Sequence, residues 1–133
     1  MAEHNIPANG TFCWNELSTN NLEAAKQFYS ELLGWTLHQS ATTSMPYIEI
    51  EATGGQRIGG MYQQSPECGG PMPPHWMAYI AVDDVDGLAA RVEELGGKVC
   101  VPPMDIPNVG RFAVINDPAG AAFSIIKLTG AHA

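Results

Sequence analysis

The chain has 133 residues, 45% of them apolar and 15% charged, with 14 acidic side chains against 6 basic ones. That length suits one compact domain, or two half-domains sharing a core, and the apolar share excludes wholesale disorder. A net charge of −8 repels nucleic acid, anionic membrane and polyphosphate over most of the surface, which leaves a small molecule or another copy of the chain as the expected partner.

No apolar run approaches the roughly 18 residues that span a bilayer. The N-terminus lacks the basic and apolar regions of a secretory signal, so a soluble cytoplasmic protein is expected. Cys13, Cys68 and Cys100 are widely spaced and form no Cys-x-x-Cys. Neither a disulfide framework nor a thiolate zinc site is expected.

In chain order, residues 1–10 form an N-terminal extension and residues 11–64 a first module that opens with a strand. Asn20 or Asn21 is placed to cap a helix, with Glu23 returning a hydrogen bond. Leu22, Ala25, Phe28, Leu32 and Leu33 fall on one face of that helix, and Gly34 closes it. Strands are predicted over 35–39, 47–52 and 57–63, separated by Pro46 and Gly54-Gly55. Residues 65–75, SPECGGPMPPH, are too rich in Gly and Pro for an element and form a linker.

The second module, 76–128, follows the same plan, and residues 129–133 are a tail. Asp83 or Asp84 caps a helix whose apolar stripe is Val85, Leu88, Val92 and Leu95, ended by Gly96-Gly97. Strands follow over 98–101, 111–116 and 121–128, with Pro102-Pro103 and Asp117-Pro118-Ala119-Gly120 as punctuation. Shifting Trp14–Gly34 by 63 positions lays it on Met77–Gly97 without a gap. Leu17 then meets Ile80, Asn21 meets Asp84, Leu32 meets Leu95 and Gly34 meets Gly97. The predicted fold is α+β: two tandem β-α-β-β-β modules forming a curved sheet around a shared cavity, because each helix must hide one stripe and strand alternation leaves the other sheet face free.

The run from Asn21 to Tyr29, then Leu33-Gly34-Trp35, repeated over Asp84–Gly97 and closed by Asp117-Pro118-Ala119-Gly120, resembles the vicinal oxygen chelate superfamily. That group contains glyoxalase I, bleomycin-resistance proteins and extradiol dioxygenases. The resemblance covers Thr11 to Leu128, and the stretch from His75 onward is most similar to single-chain glyoxalase-like or hydroxylase-like members. It implies a homodimer and, in the enzymes, a divalent metal that polarises vicinal substrate oxygens.

In metal-binding relatives a ligand lies seven residues before each capping acid, which here gives Trp14 and Met77. A late ligand lies seven after the Asp of Asp-Pro-x-Gly, here Ser124, with Met61 as its first-module counterpart. None of these holds a hard divalent cation, so no metal is expected at the family positions and no cofactor is assigned. Glu16 and His75 lie two residues away along their strands, about 6.6 Å, in opposite chain directions. A displaced site drawing on His75, Glu16, Glu49 or Glu51 is the alternative, and with it a metal-dependent lyase or dioxygenase.

Parity points Phe12, Trp14 and Glu16 inward, with Met77 and Tyr79 opposite, Ser124 and Ile126 on the last strand, and Met61 beside them. Phe123 and Ile125 face the helix. Such a lining suits a flat, partly apolar ligand anchored by few hydrogen bonds; the plainer alternative is that these side chains fill a core. Glu16, desolvated beside Trp14, is a candidate acid or base, and Tyr79 a candidate donor to a ligand oxygen, which defines a third reading as a metal-free enzyme. His38 reads as an edge histidine, and Glu49 and Glu51, alternating with Ile48 and Ile50, as the wet face of a strand. Gly59-Gly60 reads as strand rather than phosphate cradle.

Overall fold

A computed structural model describes residues 7–40, 47–64, 73–107 and 109–129. The chain divides into two compact units, Trp14–Met77 and Met1–Cys13 together with Ala78–Ala133. The elements run β1 (Phe12–Thr19), α1 (Leu22–Leu33), β2 (Thr36–Gln39), β3 (Ile48–Glu51) and β4 (Arg57–Gln63). They continue as β5 (His75–Ala81), α2 (Val85–Ala89), a 3-10 turn (Glu93–Leu95), β6 (Lys98–Ile106), β7 (Gly110–Asn116) and β8 (Ala122–Leu128). The β-α-β-β-β order thus occurs twice, as expected for the α+β class. Among the described residues, no helix is long and apolar enough to cross a membrane.

In the Trp14–Met77 unit the strands lie in the order β2-β3-β4-β1, antiparallel except for the parallel β1–β4 pair. Asn21 caps α1 by accepting from the Ala24 N–H, and Gly34 ends it in the left-handed region at φ 73°. Glu23 returns no bond. It is the second helical residue where a capping box needs the third, and it pairs with Lys26 at 3.3 Å instead. The orphan N–H of Leu22 is taken by Gln63 Oε1 at 2.9 Å, which fixes the helix start to β4.

The buried face of α1 is only partly the predicted one. Leu22, Ala25 and Tyr29 pack on a core of Leu17, Ile48, Ile50 and Met61, while Phe28, Leu32 and Leu33 are exposed. The helix carries two apolar edges, and the phenol ring of Tyr29, stacked on Trp35 with centroids 5.6 Å apart, decides which one turns inward.

In the other unit the order is β5-β8-β7-β6, again with one parallel pair, β5–β8. Residues 9–11 are tied to it: Gly10 N–H donates to Ala81 O, Ala81 N–H to Thr11 O, and Asp83 N–H to Asn9 Oδ1. Asp84 caps α2 by accepting from Gly87 N–H at 3.0 Å. The helix lasts only five residues and resumes as the 3-10 turn, because Gly87 weakens it at mid-length. Val85 and Val92 pack on Ala113, Ile115 and Ile125, joined by Phe123, but Leu88 and Leu95 of the predicted stripe are exposed.

The predicted break at Pro102-Pro103 is also corrected, since β6 continues through it to Ile106. The ladder to β7 shifts register between Val99 and Val101 and again between Val101 and Met104. The two residues without N–H groups therefore sit in irregular stretches of a strand at the end of the sheet order, where missing donors cost least. Asp117 shapes the β7–β8 hairpin, its Oδ1 accepting from Ala119 and Ala121 N–H, with Gly120 at φ 100°. Of the predicted linker, 65–72 lies outside the described residues, and His75 is the first residue of β5 rather than linker.

Candidate functional site

One face of the Trp14–Met77 sheet is apolar and carries α1; the other is polar. Register makes the division explicit. Glu16 pairs with Gly60, Gly60 with Glu49, and Glu49 with His38, so these four positions form one row across β1, β4, β3 and β2. Residues paired across a ladder share a face, and the next row, Leu17–Met61–Ile48, points the opposite way into the core.

Tyr47 organises the β1 end of the polar face. Its hydroxyl accepts a hydrogen bond from Trp14 Nε1 at 2.9 Å and donates one to the Glu16 carboxylate. Gly60 makes room: a Cβ there would stand 2.0 Å from the Tyr47 hydroxyl oxygen and 2.3 Å from its ring. Burial pushes the Tyr47 hydroxyl far above the usual phenol range, and the charge of Glu16 adds to the shift. The phenol is a fixed, protonated donor at any physiological pH.

At the β2 end, Arg57 joins two carboxylates, Nε donating to Glu49 at 3.1 Å and Nη1 to Glu51 at 2.8 Å. His38 Nε2 lies 2.6 Å from Glu51 Oε1. The glutamates are only about a quarter exposed (28% and 26%), so the wet face read from alternation is a half-buried charge network. Two carboxylates share one guanidinium and one imidazole there, and the Glu16 carboxylate lies at the other end of the same row. The surplus of acceptors suits a ligand that presents hydroxyl or amino donors.

The other predicted site residues are distributed differently. Met61 is fully buried (0% exposed) with Leu17, Ile48 and Ile50 beneath α1, on the opposite face from Trp14 and Glu16, because its register partner is Leu17 and not Glu16. Phe12, expected inward, is 72% exposed. Met77 is half-buried in β5. Tyr79 and Ser124 are buried ladder partners within the other unit, and Ile126 is buried one step along on the same parity. Phe123 and Ile125 face the helix as expected. Tyr47 and Arg57 were not singled out from sequence, although Tyr47 shares the parity of Glu49 and Glu51.

The profile of the glyoxalase/bleomycin resistance protein/dioxygenase superfamily matches residues 12–125. The chain belongs to this superfamily. It is 41% identical over 118 residues to a Mycobacterium tuberculosis protein provisionally named glyoxylase CFP32, covering 89% of the chain and 44% of that protein. It is 36% identical over 129 residues to the anthracycline biosynthesis protein DnrV of Streptomyces peucetius, covering 89% and 47%. The chain spans less than half the length of these relatives. Among solved structures, the fold is similar to methylmalonyl-CoA epimerase of Streptomyces coelicolor (TM-score 0.64, 14% identity, 92% of this chain and 99% of that one). It is also similar to the Mn(II)-bound glyoxalase of Novosphingobium aromaticivorans (TM-score 0.59, 20% identity, 90% and 39%).

Metal-dependent members of the superfamily need hard donors, and the residues at the corresponding positions do not fit that demand. Trp14 spends its indole N–H on Tyr47, Met61 is enclosed by aliphatic side chains, and neither offers a carboxylate or imidazole. Among the described residues, no three His, Cys, Asp or Glu side chains converge as a metal cluster. The acids proposed for a displaced site are engaged by Tyr47, Arg57 and His38.

Proposed function

We propose that this superfamily member binds a small, flat, partly apolar molecule bearing hydroxyl or amino donors on the polar face of the Trp14–Met77 unit, without the metal centre of its enzymatic relatives. The observation that carries the reading is the half-buried Trp14–Tyr47–Glu16 hydrogen-bond chain. It presents an aromatic ring and a carboxylate side by side in one fixed arrangement, and Gly60 is the space that permits it. The anthracycline relative points to the ligand class, since anthracyclines are fused-ring aromatics with hydroxyl and amino substituents. The net charge of −8 favours a weakly basic ligand by long-range attraction.

The test is a titration of the protein with an anthracycline, followed by quenching of tryptophan emission. Saturable quenching at micromolar concentration is expected, weakened about tenfold (roughly 1.4 kcal/mol) by Glu16→Gln. Affinity unchanged in Glu16→Gln, or no binding at all, removes the reading. Glu16 as an acid or base is the second reading, and loss of turnover in the same variant would support it. We further propose self-association through the apolar edge that α1 leaves exposed, Phe28, Leu32 and Leu33.

A further inference from the structure

A cavity of about 320 Å³ opens on the helix-side face of the same unit, lined by Asn15, Trp35, Ile50, Ile58, Gly59 and Trp76. Asn15, Gly59 and Ile50 are register partners, one step along from the Glu16–Gly60–Glu49 row, so the cavity lies on the opposite side of the sheet from the polar face. Gly59 contributes no side chain to the lining, and a Cβ there would stand 2.3 Å from the Asn15 carbonyl oxygen, so the glycine lets β1 and β4 approach closely at the floor.

The walls are aromatic. Trp35 follows the Gly34 helix stop and stacks on Tyr29 at 5.6 Å, with ring planes 17° apart. Trp76 stands edge-on to both, 5.5 Å from Tyr29 and 6.1 Å from Trp35. Its Nε1 donates to the Tyr29 hydroxyl at 3.3 Å, so its polar atom is satisfied inside the protein. The ring nevertheless remains 41% exposed. A large indole held in place with its donor already used is a prebuilt stacking surface, and little side-chain entropy is lost when a ligand meets it.

Composition of the lining selects the ligand. Among the described residues no ionised side chain lines the cavity, so a charged molecule would shed water with no counter-charge among them to meet it. Only Asn15, among the described lining residues, offers both a side-chain donor and a side-chain acceptor. We infer that the cavity is a second binding site, for a neutral planar molecule of one or two aromatic rings carrying an amide or hydroxyl group, the ring against Trp76 and Trp35 and the polar group on Asn15. Its volume falls at the small end of the roughly 300–1,000 Å³ typical of ligand sites.

The three indole N–H groups of the chain serve as separate reporters in ¹H–¹⁵N correlation spectra, assigned with Trp14→Phe, Trp35→Phe and Trp76→Phe. Benzamide is the probe and cyclohexanecarboxamide its non-aromatic counterpart. Benzamide is expected to shift the Trp35 and Trp76 signals saturably, with a dissociation constant of about 1 mM, as befits so few atoms. The Trp14 signal, which reports the polar face, stays in place. Cyclohexanecarboxamide and the exposed-site variant Asn15→Leu are each expected to bind at least fivefold more weakly. Failure of the Trp35 and Trp76 signals to shift in the native protein, movement of Trp14 alone, or equal binding of the two amides would overturn the assignment.

Discussion

Tyr47 is held by three features that act on one atom: the Trp14 indole donates to its oxygen, the Glu16 carboxylate accepts its proton, and Gly60 leaves the space it fills. Because folding raises its pKa above the unfolded value of about 10, the stabilisation it contributes is complete below pH 10. It is lost as pH climbs from there toward the folded-state value, since the unfolded chain releases the phenolic proton first. Denaturant midpoints at pH 8 and pH 10.5 should therefore fall more steeply in the native protein than in Tyr47→Phe. At pH 8 the variant itself should be about 1 kcal/mol less stable, the cost of leaving a half-buried indole donor unmatched. Parity along β1 was enough to place Trp14 and Glu16 together. Tyr47 escaped notice because it precedes the strand, just after Pro46, and its hydrogen bonds span 33 residues of sequence. A glycine within a strand, as at Gly60, is the sequence sign that something large approaches the backbone there.

Both helix starts and the stop of α1 were legible because capping is a local matter: Asn21, Gly34 and Asp84 each act on groups within one turn of chain. Helix α2 stops at Ala90, ahead of the expected Gly96, which closes the 3-10 turn instead. The face a helix buries is not local. On α1 two apolar edges competed, and the winner was set by Trp35 and Trp76, the latter 47 residues from Tyr29. The short α2 shows how local rules interfere with one another. Replacing a mid-helix glycine by alanine ordinarily stabilises by about 1 kcal/mol. At Gly87 the added Cβ would stand 2.3 Å from Asp84 Oδ2 and displace the cap, itself worth about 1 kcal/mol. Gly87→Ala is accordingly expected to gain no stability, with a thermal midpoint at or below that of the native protein.

At the scale of the molecule, duplication of the β-α-β-β-β plan was visible as a 63-residue repeat of caps and apolar positions. The chemistry was less visible, because the polar face is assembled by register among four strands. The one lining residue read from looser alignment, Met61, fell on the wrong side. The proposed self-association makes a further expectation. Leu32→Ser combined with Leu33→Ser alters no side chain packed on the core, so light scattering should show smaller particles at unchanged helical content; an unaltered mass would remove α1 from the interface. A second margin of the protein is closed to such contacts by its own covalent structure. Where β6 passes through Pro102 and Pro103, one of the two prolines turns a position with nothing to donate toward an incoming strand, in a stretch whose register to β7 already shifts. Ribbon-like stacking of one copy on the next, the route by which bare sheet edges seed fibrils, has no continuous template along that side.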